Sequence, residues 1–178
     1  MRKVVKLRAP IARKDLEGLR AGDDVLLSGT ILTARDAAHK RFDDIIKKGG
    51  HIPISLKDAV IYYCGPTPPR PRRVIGSCGP TTSARMDAFT PALLRLGVSG
   101  MIGKGRRGEE VRKAIKKYGC VYFLAAGGIG AYLATKVKRA RPILFKDLGP
   151  EAVYKLEVEG FPLIVGIDAK GRDVYESR

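Results

Sequence analysis

Tryptophan, asparagine and glutamine are missing from this 178-residue chain, while Asp, Glu, Lys and Arg make up 29% of it. Loss of thermolabile amides beside abundant charge points to a thermophilic source. No apolar run approaches the roughly 18 residues that a membrane-spanning helix needs. At the amino end Arg2, Lys3 and Lys6 break up the apolar residues too soon for the core of a signal peptide. Together these absences predict a soluble, cytoplasmic protein without a membrane partner. An apolar share of 44% excludes a disordered tail, and the length suits one domain over residues 1–178 with a core of its own.

Cysteine is scarce too, with only Cys64, Cys78 and Cys120. An odd count without a C-x-x-C pair excludes a disulfide framework and lacks the close spacing of iron–sulfur ligands. Free, buried thiols and no metal held by this chain are the expectation. Carboxylates are the minority charge: 18 Asp and Glu against 34 Lys and Arg leave a net charge of +16. That excess fits nucleic acid, an acidic protein surface or an anionic substrate. Few aromatics interleave with the basic runs Arg70–Arg73 and Lys136–Arg141, and no recognition motif accompanies them. A basic nucleic-acid-binding protein is therefore the weaker reading. No Ser-His-Asp set, metal-ligand cluster or suggestively spaced carboxylate pair is present either, so the chain reads as half of an active site.

What is present alternates between strand-like and helix-like segments, which predicts an α/β fold. Lys3–Leu7, Val25–Leu32, Ala59–Tyr63, Val98–Ile102 and Val121–Ala126 read as strands. Phe161–Asp168 and Asp173–Glu176, flanking Ala169-Lys170-Gly171-Arg172, read as a hairpin. A helix is expected from Thr33, with Thr33 and Asp36 as a capping box and Ala38, Phe42, Ile45 and Ile46 on one face. Others are expected from Thr82, from Thr90-Pro91, over Glu109–Tyr118 and after Gly127-Gly128. The Pro- and Arg-rich stretch from Gly65 to Arg73 reads as an exposed loop.

Three cations stand at helix starts or glycine turns. Arg85 follows Gly79-Pro80-Thr81-Thr82-Ser83-Ala84, where a helix amino end and a guanidinium fork could together hold a carboxylate. Alone, those residues fit a threonine-capped helix with a solvated arginine at least as well. Arg35 sits in a helix first turn, where a cation opposes the dipole. Lys104 lies in Gly103-Lys104-Gly105-Arg106-Arg107-Gly108, a literal G-x-G-x-x-G without the acidic residue some 20 positions on that a dinucleotide site requires. The simpler reading of that turn is an anion-holding loop or a cationic surface turn. His39 is read as a proton carrier or, more simply, as a structural histidine bonded to a neighbouring carboxylate. Gly127-Gly128-Ile129-Gly130 reads as close backbone packing. Arg35, Arg85 and Lys104 together suit a small substrate with two carboxylates.

The runs Thr33-Ala34-Arg35-Asp36-Ala37-Ala38-His39-Lys40-Arg41, Tyr62-Tyr63-Cys64-Gly65-Pro66, Gly79-Pro80-Thr81-Thr82-Ser83-Ala84-Arg85-Met86-Asp87 and Ile102-Gly103-Lys104-Gly105 occur here in one order. In that order they resemble the beta subunits of class I iron–sulfur fumarases and L(+)-tartrate dehydratases. The resemblance implies a swivelling β/β/α fold and a hydro-lyase split over two polypeptides. In such enzymes a cluster-bearing alpha subunit or domain carries a [4Fe–4S] cluster. Its one iron without a cysteine acts as a Lewis acid, and the pairs assemble further. By resemblance Arg35, Thr82, Arg85 and Lys104 would bind the dicarboxylate. Thr81 would be the base that removes the C3 proton of malate. Fumarate and tartrate remain alternatives.

Overall fold

The computed structural model describes residues 4–176, so Lys3 of the first expected strand lies outside the described residues. Among the described residues seven strands and four α-helices follow one another. The strands are β1 (Val4–Ala9), β2 (Asp24–Thr33), β3 (Val60–Tyr62), β4 (Gly100–Gly103), β5 (Val121–Leu124), β6 (Val137–Leu144) and β7 (Val153–Ile167). The helices are α1 (Asp36–Lys47), α2 (Thr90–Arg95), α3 (Glu109–Tyr118) and α4 (Gly130–Thr135).

Two long strands close the sheet on itself. One edge of β2 pairs with β7 in antiparallel fashion; its other edge is shared, by β1 alongside Asp24–Gly29 and by β3 alongside Leu32 and Thr33, both parallel. In turn β7 gives its other edge to β6 and then to β5. The ring β2-β3-β4-β5-β7 is thus continuous, with β1 and β6 at its ends. A bulge between Leu27 and Gly29 bends β2 where it leaves the β1 pairing. Gly29 has φ 99, and a Cβ there would run into the carbonyl oxygen of Ala9.

Side chains alternate across the strands and divide into two cores. Leu27, Ile31, Tyr62, Phe123, Phe161 and Val165 fill the space that the ring encloses. Phe42, Tyr63, Leu94, Met101, Ile115 and Tyr122 pack α1, α2 and α3 onto its outside. Each such fully buried side chain stabilises the fold by about 1.5–3 kcal/mol. A sheet closed on itself with helices packed against it agrees with the α/β class expected. Helix α3 shows why the local pattern works. Glu109 and Glu110 open it, Lys116 and Lys117 close it, and Gly119 at φ 66 ends it.

Several local expectations give way to the tertiary fold. Thr33 caps no helix: it is the last residue of β2, fully buried, and its hydroxyl accepts from Tyr154 N at 3.1 Å. Sheet pairing has claimed the β-branched residue, and Arg35 stands at the N-cap of α1 instead. From Thr82 the chain makes a single 3-10 turn, Ser83–Met86, before α2 begins. The Thr90 hydroxyl donates back to Met86 O at 2.9 Å, so it caps nothing. Beyond Ile167 the expected hairpin shortens to the bridge of Ile167 with Asp173, flanked by bonds from Asp168 N to Arg172 O at 3.1 Å and from Val174 N to Gly166 O at 2.8 Å, after which the chain turns. The loop after Gly65 carries no regular structure, as expected.

Candidate functional site

The parallel strands β2 to β5 end at one rim, and the segments leaving it carry the cations singled out in the sequence. Ligands of parallel α/β sheets lie beyond such carboxyl ends. Between the ends of β3 and β4 a third segment is threaded. Thr81 N donates to Tyr63 O at 2.7 Å, Lys104 N donates to Thr81 O at 3.3 Å, and Ser83 N donates to Lys104 O at 3.0 Å. Gly103 makes this crossing possible. A Cβ there would strike Ser83 Oγ, which the Tyr122 hydroxyl already fixes at 2.8 Å. Backbone bonds therefore hold Thr81 and Thr82 beside Lys104. Among the described residues neither threonine hydroxyl makes a hydrogen bond, Thr81 being half-buried and Thr82 exposed.

The arginines meet on one carboxylate. Arg85 Nε lies 2.9 Å from Asp36 Oδ1, and Arg35 Nε lies 3.2 Å from Asp36 Oδ2 and 3.2 Å from Glu151 Oε1. Partial burial opposes ionisation of Asp36. Its own backbone amide and the two guanidiniums outweigh that, and the carboxyl is held below its ordinary value. Arg35 also lies across Gly65, where a Cβ would come within 2.9 Å of its Cδ. Lys104 is exposed, extends along Gly127, and makes no ion pair among the described residues. The rim is an open face with Arg85, Thr82 and Lys104 toward solvent. A cleft of about 480 Å³ lies elsewhere, beneath Arg70, Arg72 and Arg73.

His39 lies inside the protein, with a different partner from the carboxylate expected. It is fully buried against Tyr63, 5.3 Å between ring centroids, and its Nδ1 lies 2.9 Å from Arg35 O. A carbonyl only accepts, so Nδ1 carries the proton and Nε2 is left buried without a partner. Burial lowers its pKa to about 4. Asp43, four residues on along the same helix, pairs with Lys47 instead.

Sequence reasoning missed Asp36 and Glu151 as ion-pair partners, and it missed Arg107 altogether. The Arg107 side chain is wholly buried. It donates to Asp87 Oδ1 at 2.7 Å, Thr90 Oγ1 at 2.8 Å and the Tyr63 hydroxyl at 3.3 Å, over the Tyr122 ring. One residue of the expected surface turn is thus a buried anchor. The unassigned carboxylate Asp87, at the end of the threonine-containing run, was the available signal that a cation must meet it. Gly130 meets the expectation of close packing, for a Cβ there would come within 2.7 Å of Gly79 N.

The cysteines do not fit an iron–sulfur cluster. All three are buried and free. Cys64 shares a hydrogen bond with Cys78 that, with burial, keeps its thiol protonated, and burial pushes the Cys120 thiol up to about 11. Among the described residues no group of three or more His, Cys, Asp or Glu side chains could hold a metal ion.

Comparison with known proteins gives the geometry a context. The sequence model of the fumarase C-terminus matches residues 1–178. A Methanocaldococcus jannaschii protein, provisionally named an L(+)-tartrate dehydratase subunit beta, is 42% identical over 172 residues, 93% of this chain and 88% of that protein. Fumarate hydratase 2 of Leishmania major is 38% identical over 175 residues, and the aerobic class I fumarate hydratase of Salmonella typhimurium 40% over 152 residues. Those matches take up 96% and 84% of this chain but only 31% and 26% of the two hydratases. The chain thus spans nearly all of the subunit and about a third or less of the longer enzymes.

Proposed function

This chain belongs to the fumarase C-terminus family, and from that premise we propose that it is the beta-type subunit of a hydro-lyase that reversibly hydrates fumarate to L-malate. The observation that carries the reading is the gathering of Arg35, Arg85 and Lys104 around two uncommitted threonine hydroxyls at one rim. A substrate with a carboxylate at each end needs separated cations, and guanidinium forks suit carboxylates. Dehydration removes a proton from C3 and hydroxide from C2. In this reading Thr81 takes the proton, helped by the positive field that favours its ionised form, and Thr82 holds a substrate oxygen.

The reading requires a second subunit or domain, because the cysteines here do not fit a cluster and the rim is open. We place the family's [4Fe–4S] cluster on a cluster-bearing alpha subunit, in an assembly of alpha–beta pairs. Residues 1–178 then act as one domain that closes the substrate against that partner. A second reading, dehydration of L(+)-tartrate to oxaloacetate, is favoured by the near-equal extent of the Methanocaldococcus relative.

Anaerobic assembly with the cluster-bearing partner tests both. The chain alone is expected to be inactive, and the assembled pair to hydrate fumarate; faster turnover of L(+)-tartrate would select the second reading. Arg85→Ala should lower kcat/KM by about 100-fold with assembly intact, the scale of a lost charge-assisted contact to the reacting species. Full activity from the isolated chain would overturn the split site.

A further inference from the structure

We infer that Asp36 is the positioning residue of this site, the anion that sets the spacing and aim of Arg35 and Arg85 before substrate arrives. The inference rests on the dicarboxylate reading of the rim. The two arginines come from segments far apart in the chain, and among the described residues only Asp36 pairs with both. One carboxylate oxygen serves each guanidinium, Oδ1 at 2.9 Å and Oδ2 at 3.2 Å. Glu151 reaches Arg35 alone, while also accepting from Ala37 N at 3.3 Å, so it cannot align the pair.

The direction of grip matters. Both arginines meet Asp36 through Nε, and among the described residues neither makes a hydrogen bond through its terminal nitrogens. Those terminal nitrogens form an edge that takes a carboxylate by two parallel bonds. Asp36 thus occupies the side of each guanidinium that a substrate does not need. Asp36 is itself held, as the first residue of α1, by the helix dipole and by its own backbone amide. Without it, two like charges on long, rotamer-rich side chains would repel and spread, and substrate would have to order them on binding.

Kinetics of the assembled enzyme test this. Asp36→Asn should raise KM for the dicarboxylate by about tenfold while kcat stays within about threefold, the pattern of lost binding shared by ground and transition states. Asp36→Glu, which restores the charge, should recover part of the KM. An unchanged or lowered KM in Asp36→Asn would overturn the inference, as would a fall in kcat at constant KM. Asp36→Ser, which keeps a helix-starting side chain, is the second variant. Failure of both Asn and Ser variants to fold or assemble would make Asp36 structural and overturn it too. Arg35→Lys and Arg85→Lys run alongside separate the two ideas. If they also leave KM unchanged, the dicarboxylate reading itself fails; if they raise KM and Asp36→Asn does not, only the positioning role fails.

Discussion

Lys104 and Arg107 sit three residues apart in one glycine-rich turn, yet the fold treats them in opposite ways. Arg107 turns inward and binds Asp87, Thr90 and the Tyr63 hydroxyl beneath the rim. Lys104 turns outward and is left without a carboxylate among the described residues. A cation whose donors are all used inside the protein is scaffold. One that keeps its donors free is available to a ligand. The same division explains why Arg35 and Arg85, held by one edge only, resemble Lys104 more than Arg107.

Breaking the buried member should have the largest effect. Arg107→Met leaves Asp87 with only the bond from Gly108 N and removes the support under Tyr63, and should destabilise the chain by about 3 kcal/mol. Denaturant unfolding measures it, and Asp87→Leu added to Arg107→Met should recover much of the loss. Lys104→Met is the sharper contrast. It should change stability by less than about 0.5 kcal/mol, as exposed substitutions do. Yet kcat/KM of the assembled enzyme should fall by roughly 30-fold, close to 2 kcal/mol. If Lys104→Met instead destabilised the chain as Arg107→Met does, the division between scaffold and ligand cations would collapse.

His39 extends the comparison to a buried base that must remain neutral. Its native pKa of about 4 lies below the ordinary 6.5, because burial disfavours the charged ring. The unfolded chain therefore takes up a proton first as pH falls, and native stability declines between about pH 6.5 and pH 4. The loss should be on the order of 2 kcal/mol, below the full shift because the unfolded reference is itself partly structured. Asp36, whose carboxyl is held below its ordinary value, loses its contribution only at lower pH still. Urea midpoints across that range check the window; a flat profile between pH 6.5 and 4 would show that His39 is charged in the native state.

The strands and the cations were legible in the sequence for different reasons. Apolar runs such as Ala59–Tyr63 and Val121–Ala126 declare themselves because both faces of a ring strand are buried. Strand β6 and the first half of β7 were obscured, since exposed Lys and Arg in the one and Gly160 in the other break the pattern, whereas the strand expected over Phe161–Asp168 is the second half of β7. Arg35 and Arg85 stood out because they fall at expected helix starts, and Lys104 because it lies between two glycines. The threading of Thr81–Ser83 between β3 and β4 was not legible, because it depends on contacts between segments distant in sequence. The same holds for the meeting of Arg85 with Asp36, which no helical spacing could reveal.

The smallest effect should come from the basic run on β6, and it sharpens the comparison most. Lys138, Arg139 and Arg141 are exposed on a strand at the end of the sheet order, and Arg139 reaches Glu157 of β7 only at 4.0 Å. Positive side chains on an edge strand discourage pairing with another chain, which accounts for the run without a nucleic-acid partner. Exposed ion pairs of this kind contribute little, so Arg139→Ser should shift stability by less than about 0.5 kcal/mol. It removes the same unit of charge as Lys104→Met but from a place outside the rim. If contact geometry decides affinity, KM responds to Lys104→Met and not to Arg139→Ser. An equal rise in KM for both, strongest at low salt, would mean that the net charge of +16 draws in the dianion at long range. The position of Lys104 beside Thr82 would then carry no special weight.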